Sequence, residues 1–350
     1  MRKFFMTIAA VAILAAFGVA ATSDNAAACA GLIGSNGAVN LGRTTTLAAY
    51  HDGVEHYVTA FKFQGGGGQF GTLIPLPGVP TNVERGGGWT LQRLARETEP
   101  VRALAASAGR DSANRFEKAE VLQEVRIDAL DITVLKGGGP AVAEWAQAHG
   151  FRLSPDAPEV LDFYAERSPI FLAAVFDGKA AAERGQEVGD GTPVHLTIPV
   201  ANPWVPLRIL GLGKKSDDRI EADVFLLTDT KPAILPLPDD AISLAHSRRA
   251  TTSLLNDLRS DVGMEWVPAS AWLTKLSIAA SVADLTVDLA IDASGQGRPS
   301  AVAAGLARPG SDDGFLSKGW AQLALAGLAA VSVVALFAVS RLIDRRPRRA

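Results

Sequence analysis

The sequence predicts an α+β domain with largely antiparallel sheets and several short helices, placed between an N-terminal signal segment and one C-terminal transmembrane helix. The 350 residues are 48% hydrophobic and 20% charged, and this much apolar surface excludes a disordered chain. Apolar residues recur with period two between short turns, as expected for antiparallel strands. Uncharged apolar segments at both ends account for part of the positive mean hydropathy of +0.16.

Residues 1–30 have the pattern of a secretory signal peptide. Arg2 and Lys3 form a positive start, residues 4–21 are uncharged and apolar, and small residues follow. This order of charged, apolar and small segments is typical of exported proteins. The alternative is an N-terminal membrane helix that is retained.

Signal cleavage is expected in the region of Ala28, Cys29 and Ala30, or earlier, after Ala21. Cys29 is the single cysteine of the chain, so no disulfide framework can form within it. The small residues before Cys29 resemble a bacterial lipoprotein site, although the usual leucine is missing. A removed or inert thiol is therefore expected, with lipidation of Cys29 as the alternative.

The C-terminal segment predicts a membrane anchor. Residues 319–340 carry no charge and are long enough to span a hydrocarbon core of about 30 Å. Trp320 occupies an interfacial position, and residues 294–318 have the composition of a juxtamembrane linker. The tail 341–350 is expected to be cytoplasmic, because basic residues favour that side; its basic residues are Arg341, Arg345, Arg346, Arg348 and Arg349.

The expected extracytoplasmic part, residues 31–293, is acidic. Once the two basic residues of the signal and the five arginines of the tail are set aside, residues 31–340 hold 27 Lys and Arg against 35 Asp and Glu, a net charge of −8. Such a surface disfavours nucleic acid as a partner. The expected partners are the lipid bilayer, through the C-terminal helix, and an envelope protein or ligand whose identity stays open.

The clearest local unit is a β-hairpin. Two β-prone runs, 43–51 and 54–63, flank Asp52-Gly53, the residue pair preferred in a two-residue type I′ turn. In that register Tyr50 lies opposite Glu55. The side chains expected on the core face are Tyr57, Phe61 and Phe63.

His51, Asp52, Glu55 and His56 are the candidate ligand-binding residues. The hairpin register places both histidines on one face and Glu55 on the other. The spacing H-x-x-x-E-H matches neither metalloprotease motif, so no metal or other cofactor is predicted. A zinc clip formed by the two histidines stays open, although it would require further ligands.

Further elements follow in chain order. Pro75 and Pro77 argue against a central strand over 70–77. Over 284–292, strict alternation predicts a half-exposed strand whose aspartates, Asp284, Asp288 and Asp292, face solvent. Helices are predicted over 89–97, 140–149, 155–167 and 251–259, and the remaining strands over 121–135, 170–176, 192–200, 204–210 and 222–228.

An internal duplication is a further hypothesis. A hairpin, a segment of alternating prolines and a helix occur in the same order twice, within about 37–136 and within about 137–293. The tryptophans of both halves suit either a core or an exposed recognition groove, and a core is the default for large aromatic residues.

Several motifs resemble a family of bacterial envelope proteins of unknown function, DUF2330. The motifs are RTTT at 43–46, HDGVEHYV at 51–58, FGTLIPLPG at 70–78, WTL at 89–91, PLR at 206–208 and VFLLT at 224–228. The resemblance implies an exported protein, often with a C-terminal membrane anchor, and it implies no activity.

The sequence therefore predicts a single-pass membrane protein whose main domain lies outside the cytoplasm and whose C-terminus is cytoplasmic. Its expected function is binding, or a structural role in the envelope, because no catalytic constellation is recognisable. The alternative is an extracytoplasmic hydrolase that uses the His51/His56 hairpin, with or without a metal ion.

Overall fold

The computed structural model describes residues 31–34, 37–38, 44–60, 70–98, 120–176, 193–292 and 297–310. The predicted signal cleavage region, the transmembrane helix 319–340 and the basic tail 341–350 lie outside these ranges. Among the helices inside them, none is both long and apolar enough to cross a membrane.

The described residues form sixteen strands and four α-helices. The helices are α1 (Thr90–Thr98), α2 (Gly139–Ala148), α3 (Ala157–Ala165) and α4 (Thr252–Arg259). The strands are β1 (Gly31–Gly34), β2 (Gly37–Ala38), β3 (Thr44–His51), β4 (Val54–Ala60), β5 (Phe70–Leu76), β6 (Asn82–Arg85), β7 (Glu120–Ile127), β8 (Leu130–Lys136), β9 (Ile170–Phe176), β10 (Pro193–Pro199), β11 (Trp204–Val205), β12 (Arg219–Thr228), β13 (Ala233–Leu235), β14 (Ile242–Arg249), β15 (Trp272–Ser281) and β16 (Leu289–Asp292).

Two large sheets pack face to face between two pairs of helices. One sheet has the strand order β2-β1-β5-β9-β8-β7, the other has the order β14-β15-β12-β3-β4-β10-β6, and β11, β16 and β13 form a small third sheet. Among the described strands, every pair is antiparallel except β12 with β3, which is parallel. This confirms the predicted α+β class with largely antiparallel sheets.

Three apolar clusters hold the layers together. The largest lies between the two sheets and includes Leu172, Tyr57 and Leu226. The second packs the outer face of the six-stranded sheet against α2 and α3, around Trp145. The third packs the outer face of the seven-stranded sheet against α1 and α4, around Phe225. Strands buried on both faces carry continuous apolar runs, and β9 is buried at all seven positions.

The predicted hairpin and its register are confirmed. Asp52 and Gly53 have φ angles of 49° and 79°, which fits a type I′ turn because that turn requires positive φ at both central residues. Tyr50 pairs with Glu55, and Ala49 pairs with His56. The four predicted helices are also present, with ends within about two residues of the prediction.

Two predictions about strands were wrong. The run 121–135 is the hairpin β7–β8, which turns at Asp128 with φ of 51°. Strand β5 contains Pro75 and pairs with β9 along its whole length. Over the described residues its other neighbour, β1, pairs with Phe70–Leu73, so Pro75 interrupts no described pairing on that side.

The predicted solvent-facing row of aspartates was also wrong. Only Leu289–Asp292 is a strand, and Asp288 is fully buried. Its carboxylate accepts hydrogen bonds from the Leu207 amide at 2.7 Å and the Tyr164 hydroxyl at 2.9 Å, and it pairs with Arg167 at 2.5 Å. The alternating pattern predicted that Asp288 would face solvent. The prediction was wrong because these three partners compensate the cost of burying its charge.

The predicted strand over 204–210 is shorter than expected. Only Trp204–Val205 is extended, and Arg208–Gly211 forms a 3₁₀ turn. Strands from both proposed halves of the chain lie side by side in each large sheet. The division into related halves stays a prediction.

Candidate functional site

Three neighbouring strands align two imidazoles and a carboxylate on one face of the seven-stranded sheet. The Nδ1 atom of His56 on β4 lies 2.9 Å from Nε2 of His195 on β10. The Nδ1 atom of His195 lies 3.1 Å from Oε1 of Glu84 on the edge strand β6. Register explains the alignment, because His195 lies directly opposite Glu84 and is the diagonal neighbour of His56.

The hydrogen bonds determine the ring tautomers. An ionised carboxylate can only accept, so Nδ1–H of His195 donates to Glu84. In neutral His195 the Nε2 atom then accepts from Nδ1–H of His56. This order leaves a lone pair on Nε2 of His56. That nitrogen makes no hydrogen bond to any residue that the structure describes. We call Glu84, His195 and His56 the relay.

Burial keeps both imidazoles of the relay neutral. The pKa of His56 is lowered to about 4, mainly by desolvation and to a smaller extent by the charges of His195 and His51. Burial also lowers the pKa of His195, while the carboxylates of Glu84 and Glu265 oppose that change. At neutral pH His56 is therefore a hydrogen-bond acceptor rather than a cation.

Trp266 covers the ring of His56. Their ring centroids lie 3.9 Å apart and the planes are 3° from parallel. The indole N–H of Trp266 donates to the Gly263 carbonyl at 3.1 Å, so the polar end of the ring is already satisfied. The indole stays partly exposed beside His56.

Close backbone packing holds the Trp266 loop against β6. A Cβ atom at Gly86 would lie 2.5 Å from Cβ of His195, and one at Gly263 would lie 2.4 Å from the Arg85 carbonyl oxygen. The Gly87 amide donates to the Val262 carbonyl at 2.8 Å. These contacts bring the loop close enough for Trp266 to reach the relay.

The segments that pack next to the relay carry exposed apolar and acidic side chains. Trp89 is 40% exposed and Val262 is 67% exposed. The two segments are linked through Asp261, whose carboxylate accepts from the Trp89 amide at 2.9 Å and the Val262 amide at 2.9 Å. Glu265, next to Trp266, is exposed.

The predicted site residues do not form one cluster. His51 binds Asp229 at 2.7 Å through Nδ1 and lies 3.3 Å from Asp52 through Nε2, whereas His56 belongs to the relay. Both histidines lie on the same sheet face, as the register requires. Over the described ranges, no group of three or more His, Cys, Asp or Glu side chains is arranged to hold a metal ion.

Glu55 lies on the opposite face, in the core between the sheets, and is fully buried. Among the residues that the structure describes, neither carboxyl oxygen has a partner with normal hydrogen-bond geometry. Desolvation raises the pKa of Glu55 to about 8, and the backbone N–H of Trp204 offsets only part of this effect. The Glu55 carboxyl is therefore mostly protonated at neutral pH and is not available to a ligand at the surface.

Sequence reasoning found His56 and missed its partners. The alternation in β10 places Val194, Leu196 and Ile198 on the core face and His195 on the other. That signal was present in the sequence. Nothing in the sequence showed that β10 would lie between β4 and β6.

The family comparison agrees with the motifs. The profile of a family described as uncharacterised proteins conserved in bacteria (DUF2330) matches residues 23–233. The chain belongs to the DUF2330 family. The match includes all three relay residues of this DUF2330 protein and ends before Trp266. A search of curated proteins found no match.

Solved structures resemble this DUF2330 protein only distantly. A mutated baculovirus P35 after caspase cleavage has a TM-score of 0.37 and 9% identity, and covers 71% of this chain and 99% of that one. Baculovirus P35 itself has a TM-score of 0.37 and 11% identity, with 71% and 96% coverage. Similarity at this level supports no inference about function.

Proposed function

We propose that this protein is anchored in the cell membrane by its C-terminal helix, and that its extracytoplasmic domain binds an envelope component at the relay. The observation that carries the binding role is the lone pair of His56 Nε2, held in place by His195 and Glu84 beside the partly exposed indole of Trp266. A preorganised acceptor next to an aromatic surface suits recognition.

The pKa of His56 favours binding over hydrolysis. A general base works best when its pKa lies near the working pH, and burial lowers the pKa of His56 to about 4. At pH 7 such an imidazole accepts hydrogen bonds well and accepts protons poorly.

The hydrolase alternative rests on the same relay, because a carboxylate that orients an imidazole is also typical of catalytic sites. His51→Ala and His56→Ala variants, with metal analysis of the purified protein, distinguish the two. Metal that copurifies with the native chain and is lost in both variants would favour the hydrolase. Metal content unchanged by both substitutions would rule out a metal-dependent enzyme at this hairpin.

Cysteine labelling tests the topology. In a Cys29→Ala background, Ala201→Cys places a thiol in an exposed loop, and Ala350→Cys places one at the C-terminus. A membrane-impermeant maleimide should label the first in intact cells and the second only after lysis. The reverse pattern, or labelling of neither before lysis, refutes the proposed topology.

Photo-crosslinking tests the binding role. A photoreactive residue in place of Val262, which is 67% exposed, should give a discrete adduct in intact cells. That adduct should disappear when His56→Phe is added, because the acceptor is lost while the aromatic stacking is kept. An adduct that does not depend on His56, or no adduct, contradicts binding at the relay.

A further inference from the structure

We infer that the relay binds a protonated alkyl amine, the chemical group at the end of a lysine side chain. This names the ligand class for the site and therefore rests on the proposed function. The inference follows from the hydrogen-bonding atoms, the charges and the apolar surface around His56.

The ligand must donate hydrogen bonds. Nε2 of His56 can only accept, and so can the carboxylates of Glu84 and Glu265. One oxygen of Glu84 binds His195, and Glu265 makes no hydrogen bond within the ranges that the structure describes. The indole N–H of Trp266, which stacks on His56, is a donor already used by the Gly263 carbonyl. An ammonium group supplies three donors and no acceptor.

The charge around the relay favours a cation. Glu84 is half exposed and pairs with His195, which burial keeps neutral. Glu265 is exposed and its charge reaches His195. His51, on the same sheet face, is paired with the carboxylates of Asp52 and Asp229. The exposed part of an indole also attracts ammonium groups through its π electrons.

The neighbouring apolar side chains suit an alkyl stem. Trp89 and Val262 are exposed to 40% and 67%, and they lie on the two segments that the Asp261 carboxylate joins. Long cationic side chains bury their methylene groups along such surfaces and keep the charged end in a polar site. A small hydrated metal ion would gain nothing from these contacts.

Binding of defined amines to the full-length protein in detergent micelles tests this inference. The probes are spermidine, a hexalysine peptide and the same peptide with every side chain acetylated, measured by calorimetry at physiological salt. We expect the amines to bind and the acetylated peptide not to bind. Binding of spermidine indicates that a free amine suffices, whereas binding of hexalysine alone indicates a lysine within a polypeptide.

Matched variants separate a site from general attraction to an acidic protein. Glu265→Gln and Asp217→Asn each remove one exposed carboxylate, and Asp217 precedes the end of β12 that is remote from the relay. Affinity should fall about fivefold or more in Glu265→Gln and in His56→Phe, and it should stay unchanged in Asp217→Asn.

Three outcomes overturn the inference: no binding of either amine, equal binding of the acetylated peptide, or equal losses in Glu265→Gln and Asp217→Asn. Unchanged thermal unfolding of Glu265→Gln confirms that the fold is intact, so the test does not depend on His56→Phe alone. If neither amine binds while the His56-dependent crosslink at Val262 persists, the proposed ligand class is wrong and the binding role stands. If both fail, the relay is not a binding site.

Discussion

Substitution of the buried Glu55 by glutamine should change how the stability of the protein depends on pH. The carboxyl is fully buried, no described residue bonds it with normal hydrogen-bond geometry, and burial raises its pKa from 4.5 to about 8. Between these two values the folded state binds more protons than the unfolded state, so its stability falls as pH rises. The stabilising contribution is complete below pH 4.5 and is lost as pH approaches 8.

The size of the effect follows from the two pKa values. A shift from 4.5 to about 8 corresponds to a loss of about 3 to 4 kcal/mol in the free energy of unfolding between pH 5 and pH 8. Glutamine cannot ionise, so Glu55→Gln should escape this loss. The variant should match the native protein within about 1 kcal/mol at pH 5 and exceed it by about 3 kcal/mol at pH 8.

Urea unfolding at pH 5, 6, 7 and 8, followed by tryptophan fluorescence, measures this difference. Other groups titrate over the same range, but their contributions cancel when the variant is compared with the native protein. Glu144→Gln, at an exposed position of α2, is the matched control and should follow the native curve. Parallel curves for Glu55→Gln and the native protein would refute the reasoning.

Three more predictions concern packing and buried hydrogen bonds. Gly86→Ala should displace His195, because the new Cβ would lie 2.5 Å from Cβ of that residue; unchanged imidazole ¹⁵N shifts of His195 and His56 would contradict this. Asp288→Ala should lower the free energy of unfolding by about 3 to 5 kcal/mol, because it leaves the buried Arg167 unpaired; a loss below 1 kcal/mol in urea unfolding would contradict it. Asp261→Ala removes the acceptor for Trp89 and Thr90 at the start of α1 and should cost about 1 to 3 kcal/mol; a thermal midpoint equal to that of the native protein would contradict it.

Local features of this fold were predictable, since they depend on neighbouring residues. The Asp52-Gly53 turn determines the hairpin register because both residues accept positive φ. Helix α4 follows from its apolar spacing and from Thr251, whose hydroxyl accepts from the Leu254 amide at 3.2 Å.

The candidate site was only partly predictable, because it depends on distant pairing. His56, His195 and Glu84 come from strands that no local rule places side by side. Burial of Asp288 likewise depends on hydrogen bonds from the Leu207 amide and the Tyr164 hydroxyl. Alternation indicates which residues share a face, but it does not reveal which distant groups compensate a buried charge.

The position of the β3–β4 hairpin has a consequence for how the chain is made. Both of its edges are covered by later strands, β12 in parallel beside β3 and β10 beside β4. The earlier of these, β10, begins more than 130 residues after β4 ends. During synthesis both edges of the hairpin therefore stay unpaired until these strands are made. Unpaired N–H and C=O groups at strand edges favour pairing with other chains. We expect a nascent chain truncated before residue 193 to aggregate or to need a chaperone, and one that extends through β12 to need neither.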